Sequence, residues 1–187
     1  MSIDIKAKIE FSRLIISQGN DIIYSRKIKT IKTLSIDEII IDKKERYRIL
    51  INNQFIILED YSQCMNMLTT ITRLITEYKV IKKLKFKLVN KNSAITEIPL
   101  KNIVSINIAN NGLKNDKEFF VIVKYGKNEN NSFRSVFVSF EKAKQLSESM
   151  NKTLRIWNNY MSSFDLNSLA FVSISLDYYL DPEISNN

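Results

Sequence analysis

The chain has 187 residues, enough for one domain or two small halves sharing a core. It carries 28 Lys and Arg against 20 Asp and Glu, a net charge of +8, with an ordinary share of hydrophobic residues for a soluble protein (44%). It has no histidine and one cysteine, which removes the commonest general acid–base group, the usual zinc sites and any internal disulfide.

Other catalytic signatures are missing as well. No two of Gly19, Gly112 and Gly126 fall within ten residues of each other, so no glycine-rich phosphate loop can form. Asp37-Glu38 and Glu59-Asp60 are adjacent pairs, and neighbours on a strand point to opposite faces, so they chelate poorly together. The expectation is a non-enzymatic protein with no cofactor and no metal. No apolar run reaches the roughly 18 residues of a membrane span. The alternating start of the chain suits a strand rather than a leader peptide. The lone Cys64 suits a reducing, intracellular compartment.

Charge is unevenly spread. From Ser162 onward there is no Lys or Arg, while Asp165, Asp177, Asp181 and Glu183 contribute −4, leaving +12 on residues 1–161. A basic body with an acidic tail points to a polyanionic partner.

In chain order, Ile3, Ile5, Ala7, Ile9 and Phe11 alternate with polar residues, the period of a half-buried strand. Gln18–Asp21 is a turn cluster, and Ile22 to Lys32 returns as a strand. Strands follow at Ile36–Ile41, Arg46–Ile51 and, after the Asn52-Asn53 turn, Phe55–Leu58. Asp60 with Gln63 three residues on marks a helix start, and Tyr61, Cys64, Leu68, Ile71, Ile75 and Tyr78 form its stripe. From Ile81 the pattern restarts. Lysines at 83, 85 and 87 alternate with Leu84, Phe86 and Leu88, then come Ile95–Ile98 and Ile103–Ile108. Phe119–Tyr125 and Phe133–Phe140 flank a Gly/Asn-rich turn, and Ser139 caps a second helix with Ala143, Leu146, Met150, Leu154, Trp157 and Met161 on one stripe. The tail holds one more candidate strand, Leu169–Leu176, and a loose end at Pro182–Asn187.

Shifting the first helix by 82 positions lays Cys64 on Leu146, Leu68 on Met150, Ile75 on Trp157 and Tyr78 on Tyr160. Arg46–Ile51 answers Glu118–Val123, and Phe55–Leu58 answers Val136–Phe140. This pattern predicts an internal duplication. The expected fold is α+β: two antiparallel sheets, each followed by one amphipathic helix, at residues 1–80 and 81–161, with an acidic extension at 162–187. Five strands per half are expected.

Candidate binding residues lie on the strands. Lys83, Lys85 and Lys87 form one basic face with a spacing of roughly 6.5–7 Å, close to that of phosphates along an extended strand. Lysines on an edge strand equally discourage edge-to-edge pairing. Arg26, Lys27, Lys29 and Lys32 form a second basic strand in the first half. Arg46-Tyr47-Arg48 and Lys124-Tyr125 with Lys127 mix aromatics with cations. Phe133 and Phe137, flanking Arg134 among serines, suit stacking on unpaired bases or packing under a loop.

The order of elements resembles the PUR-repeat, Whirly and positive-cofactor-type single-strand-binding proteins. The resemblance is carried by EFFVIVKYGKNENNSFRSVFVSFEKAKQLSESM and more faintly by RYRILINNQFIILEDYSQCMNMLTTITRLITEY. It implies curved sheets that bind single-stranded DNA or RNA. The chain also resembles tandem pleckstrin-homology-like domains, which implies a lipid, peptide or histone ligand. The favoured expectation is single-stranded nucleic-acid binding; the alternative is a protein-interaction module. Homo-oligomerisation is open in either case. The acidic segment Asp177–Asp181 suits a docking segment or an autoinhibitor folded over the basic face.

Overall fold

The computed structural model describes residues 4–58, 60–89, 94–110, 118–127, 131–137, 139–165 and, as backbone, 177–179. The expected strands Leu169–Leu176 and the end at Pro182–Asn187 lie outside the described residues. The fold is α+β, with two sheet-then-helix units and a short C-terminal tail. The first unit comprises residues 1–80 and 159–172, and the second residues 81–158 and 173–187.

In the first unit β1 (Ile5–Glu10), β2 (Arg13–Gln18) and β3 (Asp21–Lys27) form an antiparallel meander. A 3₁₀ turn (Ile28–Thr30) leads to a second meander of β4 (Leu34–Ile41), β5 (Lys44–Ile51) and β6 (Gln54–Leu58). Helix α1 (Tyr61–Ile81) follows. As expected, Asp60 starts it: its carboxylate accepts from the Gln63 N–H at 2.8 Å and its carbonyl from the Cys64 N–H at 3.2 Å.

The core of this unit shows why alternation was selected. Ile9, Leu14 and Ile16 from one sheet, Ile49, Ile51, Ile56 and Leu58 from the other, and Cys64, Ile71 and Leu74 from α1 form one buried cluster. Two sheets and a helix, each apolar on one side, bury those sides together.

Residues 11–18 depart from expectation. The strand expected through Phe11 ends at Glu10, Phe11 (φ 46°) and Ser12 (φ 64°) make a two-residue turn, and an unexpected strand, β2, follows. Both φ values are positive, the geometry that matches hairpin twist. That turn favours Asn-Gly, so Phe-Ser gave no turn signal. The strand expected at Ile22–Lys32 is β3, which stops at Lys27, and among the described residues six strands, not five, precede α1.

The second unit follows the same plan. It contains β7 (Lys85–Val89), β8 (Ile95–Pro99), a 3₁₀ turn (Leu100–Asn102), β9 (Ile103–Asn110), β10 (Phe119–Tyr125), β11 (Asn131–Phe137) and α2 (Phe140–Ser162). Ser139 caps α2, accepting from the Lys142 N–H at 3.4 Å. The last turn of α2 belongs to the first unit, as does β12 (Ser163–Phe164), which pairs with β1. From the tail, β13 (Asp177–Tyr179) pairs in parallel with β7.

The internal repeat is present with a different register. The 3₁₀ turns at Ile28 and Leu100 lie 72 positions apart, as do their anchoring bonds, Ile28 N–H to Ser12 O and Leu100 N–H to Leu84 O, both 3.0 Å. The match of Arg46–Ile51 with Glu118–Val123 has this offset. A longer β10–β11 loop then raises it to 79: Asp60 corresponds to Ser139, Cys64 to Ala143, Ile71 to Met150 and Tyr78 to Trp157. The offset of 82 expected for the helices is therefore three too large, and Phe55–Leu58 corresponds to Arg134–Phe137 rather than Val136–Phe140.

Candidate functional site

Strand register decides which candidate side chains can meet a ligand. Tyr47 lies opposite buried Leu58, so it faces α1, where its ring meets Tyr61 edge-on at 5.4 Å. Loss of solvent raises its hydroxyl pKa, and the charge of Glu38 adds to this. Its neighbours Arg46 and Arg48 leave the opposite face. Arg48 donates to Asp37 at 2.6 and 3.0 Å and stands over the Phe55 ring at 5.3 Å. The expected cation–aromatic–cation surface at 46–48 is therefore divided between two faces.

Phe133 and Phe137 are also redirected. They lie opposite Val123 and Phe119 and share their face with Ser135, which is buried opposite buried Val121. Both are half-buried on the core side of the sheet, not displayed for stacking. Arg134 leaves the other face and stands over the Phe120 ring at 5.3 Å. Lys124 and Lys127 are exposed and Tyr125 is half-buried.

The lysine row is shorter than expected. Lys83 lies in the turn after α1, so β7 carries only Lys85 and Lys87 on that face. Glu97 sits on β8 opposite Lys87 and forms an ion pair with Lys85.

The second basic segment keeps its charge. Arg26 and Lys27, being adjacent on β3, leave opposite faces, so the segment is not a row. It instead surrounds one end of the first unit, where three connections are tied together. Ile28 N–H donates to Ser12 O at 3.0 Å, and Asn52 N–H to Thr33 O at 3.0 Å. The Asn52 side chain donates to Thr30 O at 2.8 Å and accepts from the N–H groups of Lys32 and Thr33 at 2.8 and 3.2 Å. Arg26 reaches Gln54 at 3.1 Å. Among the described residues no ion pair involves Arg26, Lys27, Lys29 or Lys32, all of them exposed.

Two members of this end gave no sequence signal. Arg13 lies directly opposite Lys27 on the β2–β3 ladder, a like-charge pairing that costs stability. Its guanidinium donates to Ser25 Oγ at 3.0 Å and the Ser25 carbonyl at 3.3 Å. The carboxylate opposite Arg13 on β1, that of Glu10, is bound to Lys8 at 3.3 Å. Phe11 stands 72% exposed at the adjoining turn, its N–H held by Ser162 O at 2.8 Å. A bulky residue at positive φ is uncommon and costs conformational energy.

The repeat supplies an internal control. Arg13 and Ser25 correspond to Lys85 and Glu97, each 72 positions on. The same cross-strand contact ends on a hydroxyl in the first unit and on a carboxylate in the second. Among the described residues the cation has no ion pair in the first unit and has one in the second.

Among the described residues no group of three His, Cys, Asp or Glu side chains could hold a metal ion, and no helix is long and apolar enough to cross a membrane. No protein-family model, curated protein or solved structure matches the chain.

Proposed function

We propose that this chain is a non-enzymatic nucleic-acid-binding protein that contacts the phosphate backbone with the cationic end of its first unit. Arg13, Arg26, Lys27, Lys29 and Lys32 supply the charge, and Phe11 offers one exposed ring to a base. This keeps single-stranded DNA or RNA as the favoured ligand but narrows the site to five cations and one aromatic, without a stacking platform. The observation that carries it is the pair of contacts Arg13–Ser25 and Lys85–Glu97: the first unit leaves at this position a charge that the second cancels.

Phosphate contacts release counterions, so affinity should fall with salt, log K against log salt having a slope of about −0.7 per phosphate on a single strand. The test grafts one unit onto the other. Ser25→Glu gives Arg13 the partner that Lys85 has, and it should weaken binding of labelled single-stranded DNA or RNA and flatten the salt slope by about one phosphate. Anionic liposomes and an acidic peptide run in parallel. Binding of liposomes or peptide without nucleic acid, or a Ser25→Glu variant that binds nucleic acid unchanged, would overturn the proposal in favour of an interaction module.

A further inference from the structure

The edge of β7 is covered differently from its counterpart in the first unit. The corresponding strand, β2, is paired along all six residues with the antiparallel β1, which precedes it through a two-residue turn. Nothing immediately before β7 can do this, because that stretch is the end of α1. The position is taken instead by β13, from the other end of the chain, running parallel. The described ladder joins Asp177, Tyr178 and Tyr179 to Lys87, Leu88 and Val89, three of the five residues of β7.

A short parallel strand brought in from a distance is weak cover. Parallel pairing is slightly less stable per residue than antiparallel, and an open strand edge is a template for another chain. Charge specifies what fits. Four lysines, Lys82, Lys83, Lys85 and Lys87, lie along β7 and the turn before it; Glu97 pairs with Lys85, so the stretch stays basic on balance, whereas residues 162–187 contain no Lys or Arg and the seated segment begins with Asp177, in register with Lys87.

We propose that the β7 edge is a strand-docking site, closed in cis by Asp177–Tyr179 and opened to an extended acidic segment of a partner protein that pairs with β7 in the same parallel register. The inference is independent of the nucleic-acid reading, since it uses the second unit and a polypeptide ligand. A segment pairing along the whole of β7 adds ladder hydrogen bonds to those β13 makes, each strengthening binding by about two- to tenfold. The tail competes because its linkage gives it a high effective concentration.

The experiment uses the full chain and, as probe, a fluorescein-labelled peptide with the sequence of residues 174–181. Tyr178→Pro removes a backbone N–H from β13 and disfavours its ladder. This variant should bind the peptide at least tenfold more tightly than the unsubstituted chain. Adding Lys87→Glu should reverse at least half of that gain on a logarithmic scale. Hydrogen exchange gives a second readout: the β7 amides facing β13 should exchange faster in Tyr178→Pro and regain protection with peptide. Asp177→Lys, which leaves the backbone intact, should act in the same direction with a smaller effect. Equal peptide affinity for Tyr178→Pro and the unsubstituted chain, or binding to neither, would overturn the proposal.

Discussion

The two units share a plan and differ in what fills it. Ile56, Leu68 and Leu74 of the first unit correspond to Ser135, Ser147 and Thr153 of the second, and all three hydroxyl residues are buried. A buried hydroxyl supplies less transfer free energy than a branched aliphatic and requires a partner. The second unit meets part of that demand through Asn151, whose amide donates to Ser147 Oγ at 3.4 Å and also to the Ser147 and Ile106 carbonyls at 2.9 and 3.3 Å, tying α2 to β9. The two units share a backbone path, while at these positions the helix seat is aliphatic in the first and hydroxyl-bearing in the second. The first unit should therefore open at higher denaturant than the second, with slower amide exchange in β5 than in β10.

The sharpest way to break this comparison lies at the end of each helix. Tyr78 donates to Ser12 Oγ at 2.5 Å and stacks on Phe164 with centroids 6.2 Å apart; Trp157, its counterpart, donates to Ile81 O at 2.8 Å. Tyr78 fastens α1 to the turn just before β2, and Trp157 fastens α2 to the chain ahead of β7, the strand that corresponds to β2. Tyr78→Ala and Trp157→Ala should each cost about 3–5 kcal/mol, measured by denaturant unfolding. The Trp157 change should lower protection in the second unit first. Tyr78→Phe keeps the ring and should cost about 1 kcal/mol.

A smaller effect separates the units by pH. Burial, helped by the charge of Asp60, pushes the Cys64 thiol up to about 11 from an ordinary 9.0. Its raised pKa favours the neutral thiol in the folded state, so this contribution is complete below pH 9 and is lost as pH rises to about 11. Over that range the first unit should lose about 2 kcal/mol from this group. Ala143 holds the equivalent place in the second unit and has nothing to titrate. Cys64→Ala should remove this part of the alkaline loss, and an undiminished loss would place its origin elsewhere, with Tyr24 the next group raised by burial.

Some of this was legible in the sequence. Helix starts were readable because Asp60 and Ser139 each precede a run with apolar residues at spacings of three and four. The helix offset was misread because a three-residue slip rotates a helix by about 300°, nearly a full turn, and leaves broad stripes overlapping. Alternation revealed two faces on each strand but not which one turned inward. That is why Tyr47, Phe133 and Phe137 were expected outside. The cationic end was half-visible: Lys27, Lys29 and Lys32 lie within six residues of one another, but Arg13 joins them only through the Phe11–Ser12 turn, which contains neither Gly nor Asn. Strand β13 carried no signal, since three residues are too few for a period and its ladder partner lies about 90 residues earlier.

The smallest predicted difference concerns the caps. Asp60 and Ser139 occupy the same place in the repeat, but Asp60 accepts at 2.8 Å and Ser139 at 3.4 Å, and only the carboxylate adds charge favourable to a helix N-terminus. Asp60→Ala should cost about 1–2 kcal/mol, and Ser139→Ala about 0.5 kcal/mol. Exchanging the residues sharpens the point. Ser139→Asp should stabilise α2, whereas Asp60→Ser should weaken α1 while lowering the Cys64 thiol pKa by removing the neighbouring charge. If both alanine variants lose the same stability, backbone geometry rather than the capping group sets the helix ends, and the two units are more alike there than their caps suggest.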